Sequence, residues 1–395
     1  MGKPRKRSST PREVRQLLIE AIQTSRQSHV ITYFVGDRPG VPAQIGEDAV
    51  RPMYEHLRAI GTGRVPRIDL FLYSRGGAIE VPWRIISMLR EYGDEINVLV
   101  PYKAHSAATL IALGADHIVM GKKGELGPID PIFTRTERSE RSILQEQLGV
   151  EDVMSYIAFI KERAGLGDQA ALAGSVSILA EKLNPWIVGS VYRAHSHIRL
   201  IARKLLGSWQ NPLDEQRTNL IVDALAEKMY MHGHAIGRRE AQGIGLPVEM
   251  PDGQLEETMW RLFEAYEQVM RLQAPVDARN AIPSGHEEHS EPAIIACIES
   301  IERLDVFRGG LAFRHIRQMP PQLNLSLNVN LQLPPSVTPE QLPQGVQTAI
   351  QQMLQTAQKQ MAEIVQGEIK KQAPIQRTEG GLVSASWQEA TAEGI

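Results

Sequence analysis

This 395-residue sequence has little of what usually announces a function. It holds one cysteine, Cys297, so it can form no internal disulfide and no cysteine-rich zinc site, and a lone thiol fits a reducing compartment. Its formal net charge is only −3, with 43 Lys and Arg against 46 Asp and Glu, so no global field draws it to nucleic acid or anionic lipid. No run of eighteen consecutive apolar residues occurs, and the basic start MGKPRKRSSTPREVRQ leads into no apolar stretch of signal-peptide length. A soluble, cytoplasmic chain is expected, with membrane contact possible at the basic start but not indicated. The GxxxxGK[ST] phosphate loop is absent as well, so any ATP-driven step would need a separate partner.

What is present changes character along the chain. Residues 1–28 read as a basic arm with one amphipathic helix, in which Val14, Leu17, Leu18 and Ile22 recur at helical spacing. Residues 29–272 read as the main domain. In its first half the apolar strands VITYFVG, RIDLFLYS, INVLVPYK and DHIVMG alternate with the helices YEHLRAIG, IEVPWRIISMLREYG and AATLIALGA, which predicts an α/β domain with a parallel sheet covered on its faces. Between about 150 and 270 the periodicity becomes helical.

Residues 273–321 are linker-like, rich in Pro, Ser, Gly and charge. There His286 and His289 flank two glutamates, but no second His pair or Cys stands nearby, so a solvated loop is the reading and no metal is expected. Residues 322–395 form an extension. In LNLSLNVNLQL, Leu323, Leu325, Leu327, Val329, Leu331 and Leu333 share one face of a half-buried strand. A helix over about 343–371 carries Val346, Ile350, Met353, Ala357, Met361 and Ile364 at spacings of three and four. One strand and one helix cannot bury these faces alone, so the extension is expected to dock on another subunit or on the main domain.

Two stretches carry chemistry. In LFLYSRGG a buried strand ends at Gly76 and Gly77, where missing side chains let a ligand approach and leave peptide N–H groups free to meet an oxyanion. In YKAHSAATLIALGAD a second strand gives way to a helix at Ser106, which puts the Ser106 Oγ and the Ala107 N–H at a helix N-terminus. If the strands are neighbours in one parallel sheet, both turns lie at its carboxyl edge, where open α/β sheets bind ligands. Two donors and a hydroxyl converging there are the inventory of acyl transfer through a covalent serine intermediate. Each feature also has an ordinary explanation, as a helix cap or a turn.

The array LFLYSRGG…YKAHSAATLIALGADHIVMGKKGELGPIDPIF resembles the ClpP/crotonase fold, and within it the serine dehydrogenase proteinase family of Clp-fold serine proteases, related to signal-peptide peptidase SppA. The resemblance covers about residues 31–250, including GHAIGRREAQGIGLPVE, and leaves out the C-terminal extension. It implies a repeated β-β-α superhelix followed by a helical region, and an ATP-independent serine endopeptidase acting on polypeptides without a cofactor. It also implies assembly into trimers, tetramers or larger rings. By position, Ser106 matches the nucleophile, Gly76 and Gly77 the first oxyanion-hole turn, and Ala107 the second N–H donor. Gly127, Pro128 and Asp130 match the element bordering the substrate groove. Arg75 departs from the proline common before the glycine pair, and His105 from the small residue common before the serine.

The general base is the weak link. The stretch PIDPIF holds no histidine where ClpP has one, so a ClpP-like triad is not expected. SppA-like relatives use a lysine in a following helix, which Lys161 matches; it can serve only if burial or nearby positive charge keeps it partly neutral. His105, His232 and His234 are further candidates. Two other classes stay open: a crotonase-like acyl-CoA hydrolase or isomerase using the same oxyanion hole, and an inactive Clp-fold assembly scaffold.

Overall fold

The computed structural model describes residues 10–129, 132–138, 143–149, 155–156, 158–182, 185–226, 234–318 and 342–390. Contacts divide the chain into two units, Met1–Val276 with Pro292–Gly310 and Ser384–Ile395, and Asp277–Glu291 with Leu311–Val383.

The first unit opens with helix α1 (Pro11–Arg26), started by a reciprocal cap between Thr10 and Glu13. Strands β1 (His29–Val35), β2 (Val65–Tyr73), β3 (Gly93–Val100), β4 (Lys103–Ala104), β5 (His117–Met120) and β6 (Glu125–Leu126) follow, interleaved with helices α2 (Val50–Ile60), α3 (Val81–Tyr92) and α4 (Ala107–Leu113). Strands β7 (Ile132–Arg138) and β8 (Ile143–Gly149) make an antiparallel hairpin, and a π-helical turn spans Phe159–Arg163. Helices α5 (Gln169–Lys182), α6 (Pro185–Leu206) and α7 (Glu215–Ala226) come next. They precede β9 (Ile236–Gly237), α8 (Arg238–Ile244), β10 (Val248–Glu249) and α9 (Gly253–Met270). Strands β11 (Glu288–Glu299) and β12 (Leu304–Arg317), helix α10 (Gln344–Gln372) and strand β13 (Ile375–Glu389) complete the order.

The main sheet runs β10-β5-β3-β2-β1-β11-β12-β13. Its first five strands are parallel, and β11 joins β1 antiparallel. Both faces are buried, as the unbroken apolar strands demand. Alternation along β2 divides the load: Ile68, Leu70 and Leu72 pack toward α2, α3, α4 and α6, whereas Phe71 and Tyr73 pack toward α1 and α9. A smaller sheet, β4-β6-β9, carries the chain leading to Ser106.

Several elements differ from the expectation. On α1 the buried face is Arg15, Leu18, Ile19 and Ile22, while Leu17 is 62% exposed. Arg15 is drawn inward because Glu299 lies 2.6 Å from its Nε, with the Tyr266 hydroxyl also donating to Glu299 at 2.7 Å. Within the linker-like stretch, residues 288–299 and 304–317 form β11 and β12 and give the core Cys297, Ile298, Leu304 and Val306. Their apolar run AIIACIES follows the polar loop that dominates the composition of that window. Within the window of helical periodicity between about 150 and 270, Ile236–Gly237 is a short strand paired with Glu125–Leu126.

In the second unit, α10 spans the predicted helix, and Val346, Met353, Met361 and Ile364 of its apolar stripe are exposed. The alternating stretch 323–333 lies outside the described residues. Among the described residues no group of three or more His, Cys, Asp or Glu converges as a metal site, His286 and His289 included. No described helix is long and apolar enough to cross a membrane.

Candidate active site

Strand β2 and the short strand β4 meet at Ser74. The Ser74 N–H donates to Lys103 O at 3.0 Å and the His105 N–H donates to Ser74 O at 3.0 Å, a parallel bridge that brackets Ala104. This lays the diglycine bend beside the nucleophile candidate. A Cβ on Gly76 would stand 2.7 Å from Ser106 Cβ, 2.9 Å from His105 O and 3.2 Å from Ala107 N, so only glycine permits the approach. Its φ of +111° adds a second reason. Gly77 is equally constrained, because a Cβ there would lie 2.2 Å from Ile45 O.

The bend's free amide follows from its hydrogen bonds. The Gly76 N–H donates to Ser74 Oγ at 3.0 Å, so it is spent. The bridge to Ile45 uses the Ile45 N–H, which donates to Gly76 O at 2.8 Å, and the Ala78 N–H, which donates to Ile45 O at 2.9 Å. Neither bond uses the Gly77 N–H. In a planar trans peptide the N–H of Gly77 points opposite to the carbonyl of Gly76, hence away from Ile45.

Ser106 has φ +53° and ψ −114°, a region costly for a residue with a side chain, at about 1–3 kcal/mol. It precedes α4, yet its side chain does not cap the helix, so the hydroxyl is not drawn onto the backbone. Ala107 is fully buried, and as the first helical residue its N–H has no intrahelical acceptor. Thr109 ties this corner together. Its Oγ1 lies 2.7 Å from Ala104 O and 2.9 Å from Gly127 O, and accepts the Gly127 N–H at 3.0 Å.

The remaining candidates separate. Gly127 and Pro128 are buried, and Gly127 packs on His105, where a Cβ would come within 3.1 Å of the His105 side chain. Asp130 and His232 lie outside the described residues. Lys161 sits exposed on the π-helical turn, and no described hydrogen bond or ion pair joins it to Ser106. His234 is partnered with Glu240 at 2.9 Å. The His105 Nε2 lies 3.3 Å from Glu125 Oε1. Burial lowers the His105 pKa below its usual value; Glu125 opposes this, while Lys103 and Arg75 add to it.

Sequence reasoning missed Ser74, Ile45, Thr109 and the cluster of Asp37, Lys103 and Tyr73. In that cluster Lys103 Nζ reaches Asp37 Oδ2 at 2.8 Å and the Tyr73 hydroxyl donates to Asp37 Oδ1 at 2.7 Å. Only Ser74 carried a local signal, standing two residues before a glycine as a side chain that can accept its N–H. A cavity of about 540 Å³ lined by Pro101, Lys122, Lys123, Glu256, Met259 and Trp260 lies elsewhere in the unit, and Ser106 is not among its walls.

A parallel sheet with a glycine-lined bend set against a strained serine at its carboxyl edge defines a ClpP-like α/β protein. More particularly, residues 3–156 match the family of ClpP-like SDH-type serine proteinases, as the motif resemblance implied. The chain is 28% identical over 225 residues to uncharacterized protein MJ0137 of Methanocaldococcus jannaschii, covering 56% of this chain and 67% of that one. It is 40% identical over 78 residues to uncharacterized protein MJ1495 of the same organism, covering 20% of this chain and 27% of that one. Among solved structures, a ClpP1 point mutant from Listeria monocytogenes is similar at 12% identity and a TM-score of 0.28, over 60% of this chain and 99% of that one.

Proposed function

We propose that the chain is a serine peptidase that cleaves polypeptides through an acyl-enzyme on Ser106, without a cofactor and without ATP. The observation that carries this reading is the seat of Gly76 against Ser106 and the Ala107 amide. A base takes the Ser106 proton, Oγ attacks the scissile carbonyl, and the N–H groups of Gly77 and Ala107 hold the tetrahedral oxyanion, each worth about 3 kcal/mol. The leaving amine takes a proton, and water then resolves the ester. Gly76 shapes the pocket rather than donating, since its own N–H is bound to Ser74. The motif resemblance assigns Gly127 and Pro128 to the element bordering the groove for an extended substrate.

Lys161 is the proposed base, on one condition. In the single chain it is exposed. A second copy of the chain or the bound polypeptide has to cover it and bring it to the site before it can serve. A homo-oligomer would supply such a cover, and the apolar residues exposed on α10 accord with one; its proposed setting is the reducing cytoplasm.

The test is reaction of the full chain with a fluorophosphonate probe. Labelling at Ser106 that vanishes in Ser106→Ala is the expected result. Labelling that survives that substitution, or no labelling of the native chain, overturns the proposal.

A further inference from the structure

We infer that Ser74 is a positioning residue of this site, whose side chain holds the oxyanion bend while its backbone holds the strand leading to Ser106; the inference rests on the serine-hydrolase reading above. Ser74 is fully buried, and its three polar groups face three different parts of the site. Its N–H and carbonyl hold Lys103 and His105, on either side of Ala104 and immediately before Ser106. Its Oγ accepts the Gly76 N–H at 3.0 Å and lies 3.4 Å from Gly76 O.

The consequence is geometric. Gly76 has no side chain to restrict its backbone, and at φ +111° it occupies a conformation it could readily leave. The peptide between Gly76 and Gly77 is held at its carbonyl by the Ile45 N–H. Among the described residues, only the Ser74 hydroxyl engages the preceding amide. Without it, the Gly76 N–H would be a buried donor lacking an acceptor, and the bend would have reason to turn that group toward the pocket or toward water. Either movement rotates the Gly77 N–H away from the position in which it can meet an oxyanion on Ser106. Oxyanion donors stabilise only when preorganised, so a small rotation is felt in the reaction rate and much less in binding.

Ser74→Ala removes one buried oxygen atom and leaves every backbone bond of Ser74 available, whereas Ser74→Thr keeps the hydroxyl. The measurement is the rate of fluorophosphonate labelling of the full chain as a function of probe concentration, which yields a maximal rate and a half-saturating concentration, together with thermal unfolding of each variant. In Ser74→Ala the maximal rate falls at least tenfold at an unchanged half-saturating concentration, and Ser74→Thr restores it to within about threefold. A native labelling rate in a folded Ser74→Ala variant overturns this inference and leaves the hydrolase reading intact. If Ser74→Ala does not fold, Ser74→Thr decides: a native rate supports the inference, and a tenfold loss at native unfolding temperature overturns it. Absence of label at Ser106 in the native chain removes the hydrolase reading itself.

Discussion

Gly76 and Ser106 are packed so closely that a Cβ on the glycine would stand 2.7 Å from the serine Cβ. Real Cβ atoms do not come that near, so the two backbones could not have met with any other residue at position 76. Gly76→Ala is expected to lose about 2–4 kcal/mol of stability from the clash and the positive φ, and to abolish labelling of Ser106. Denaturant unfolding and probe reaction measured on one preparation check both halves; native reactivity would show that the approach is dispensable.

Ser106 keeps a positive φ that a side chain resists. Ser106→Gly should therefore raise the unfolding temperature while eliminating reactivity, a stabilisation of about 1 kcal/mol relative to Ser106→Ala, which retains the strain. Equal stability of the two variants would mean that the serine is not strained.

The His105 imidazole titrates below its usual value of 6.5, chiefly because burial disfavours its charged form. Below that value the unfolded chain binds a proton that the folded chain does not, so folding stability is full above about pH 6.5 and declines as pH falls through the folded pKa. His105→Gln should flatten that segment of the stability–pH curve, read by urea unfolding at stepped pH. An unchanged slope would assign the decline to other groups.

Arg15 and Glu299 are a fully buried ion pair joined to Tyr266 and Thr32. Arg15→Met leaves the Glu299 charge with the longer 4.0 Å approach of Arg12 in place of its 2.6 Å partner and should cost up to about 3 kcal/mol, whereas replacing both Arg15 and Glu299 by apolar residues should recover part of that loss. A double-mutant cycle of unfolding free energies measures the recovery.

Lys161→Met separates the proposed base from a surface lysine. Thermal stability should be unchanged because the side chain is exposed, while the turnover of a peptide substrate falls at least a hundredfold. Turnover that persists would pass the role to another group.

The strands and helices of the first half were legible because their signals are local. Unbroken apolar runs such as INVLVPYK can be buried only in a sheet covered on both faces, and β2, β3 and β5 lie where those runs stand. The diglycine bend and the serine at the start of α4 were legible as residue types. Less legible was the region after residue 273, where a polar loop masked the apolar strand signal of β11, and the buried side of α1, where a charged Arg15 replaces Leu17 because Glu299 waits for it.

Composition and pattern alone determined an α/β chain with a corner built from glycine, serine and alanine, because propensity, alternation and backbone freedom are properties of short segments. Tertiary structure alone decided which amide of the bend is free, that Ser74 and Ile45 hold it, and that Lys161 stands in solvent. Those facts depend on atoms brought together from distant parts of the chain, and no spacing rule along the sequence encodes such an encounter.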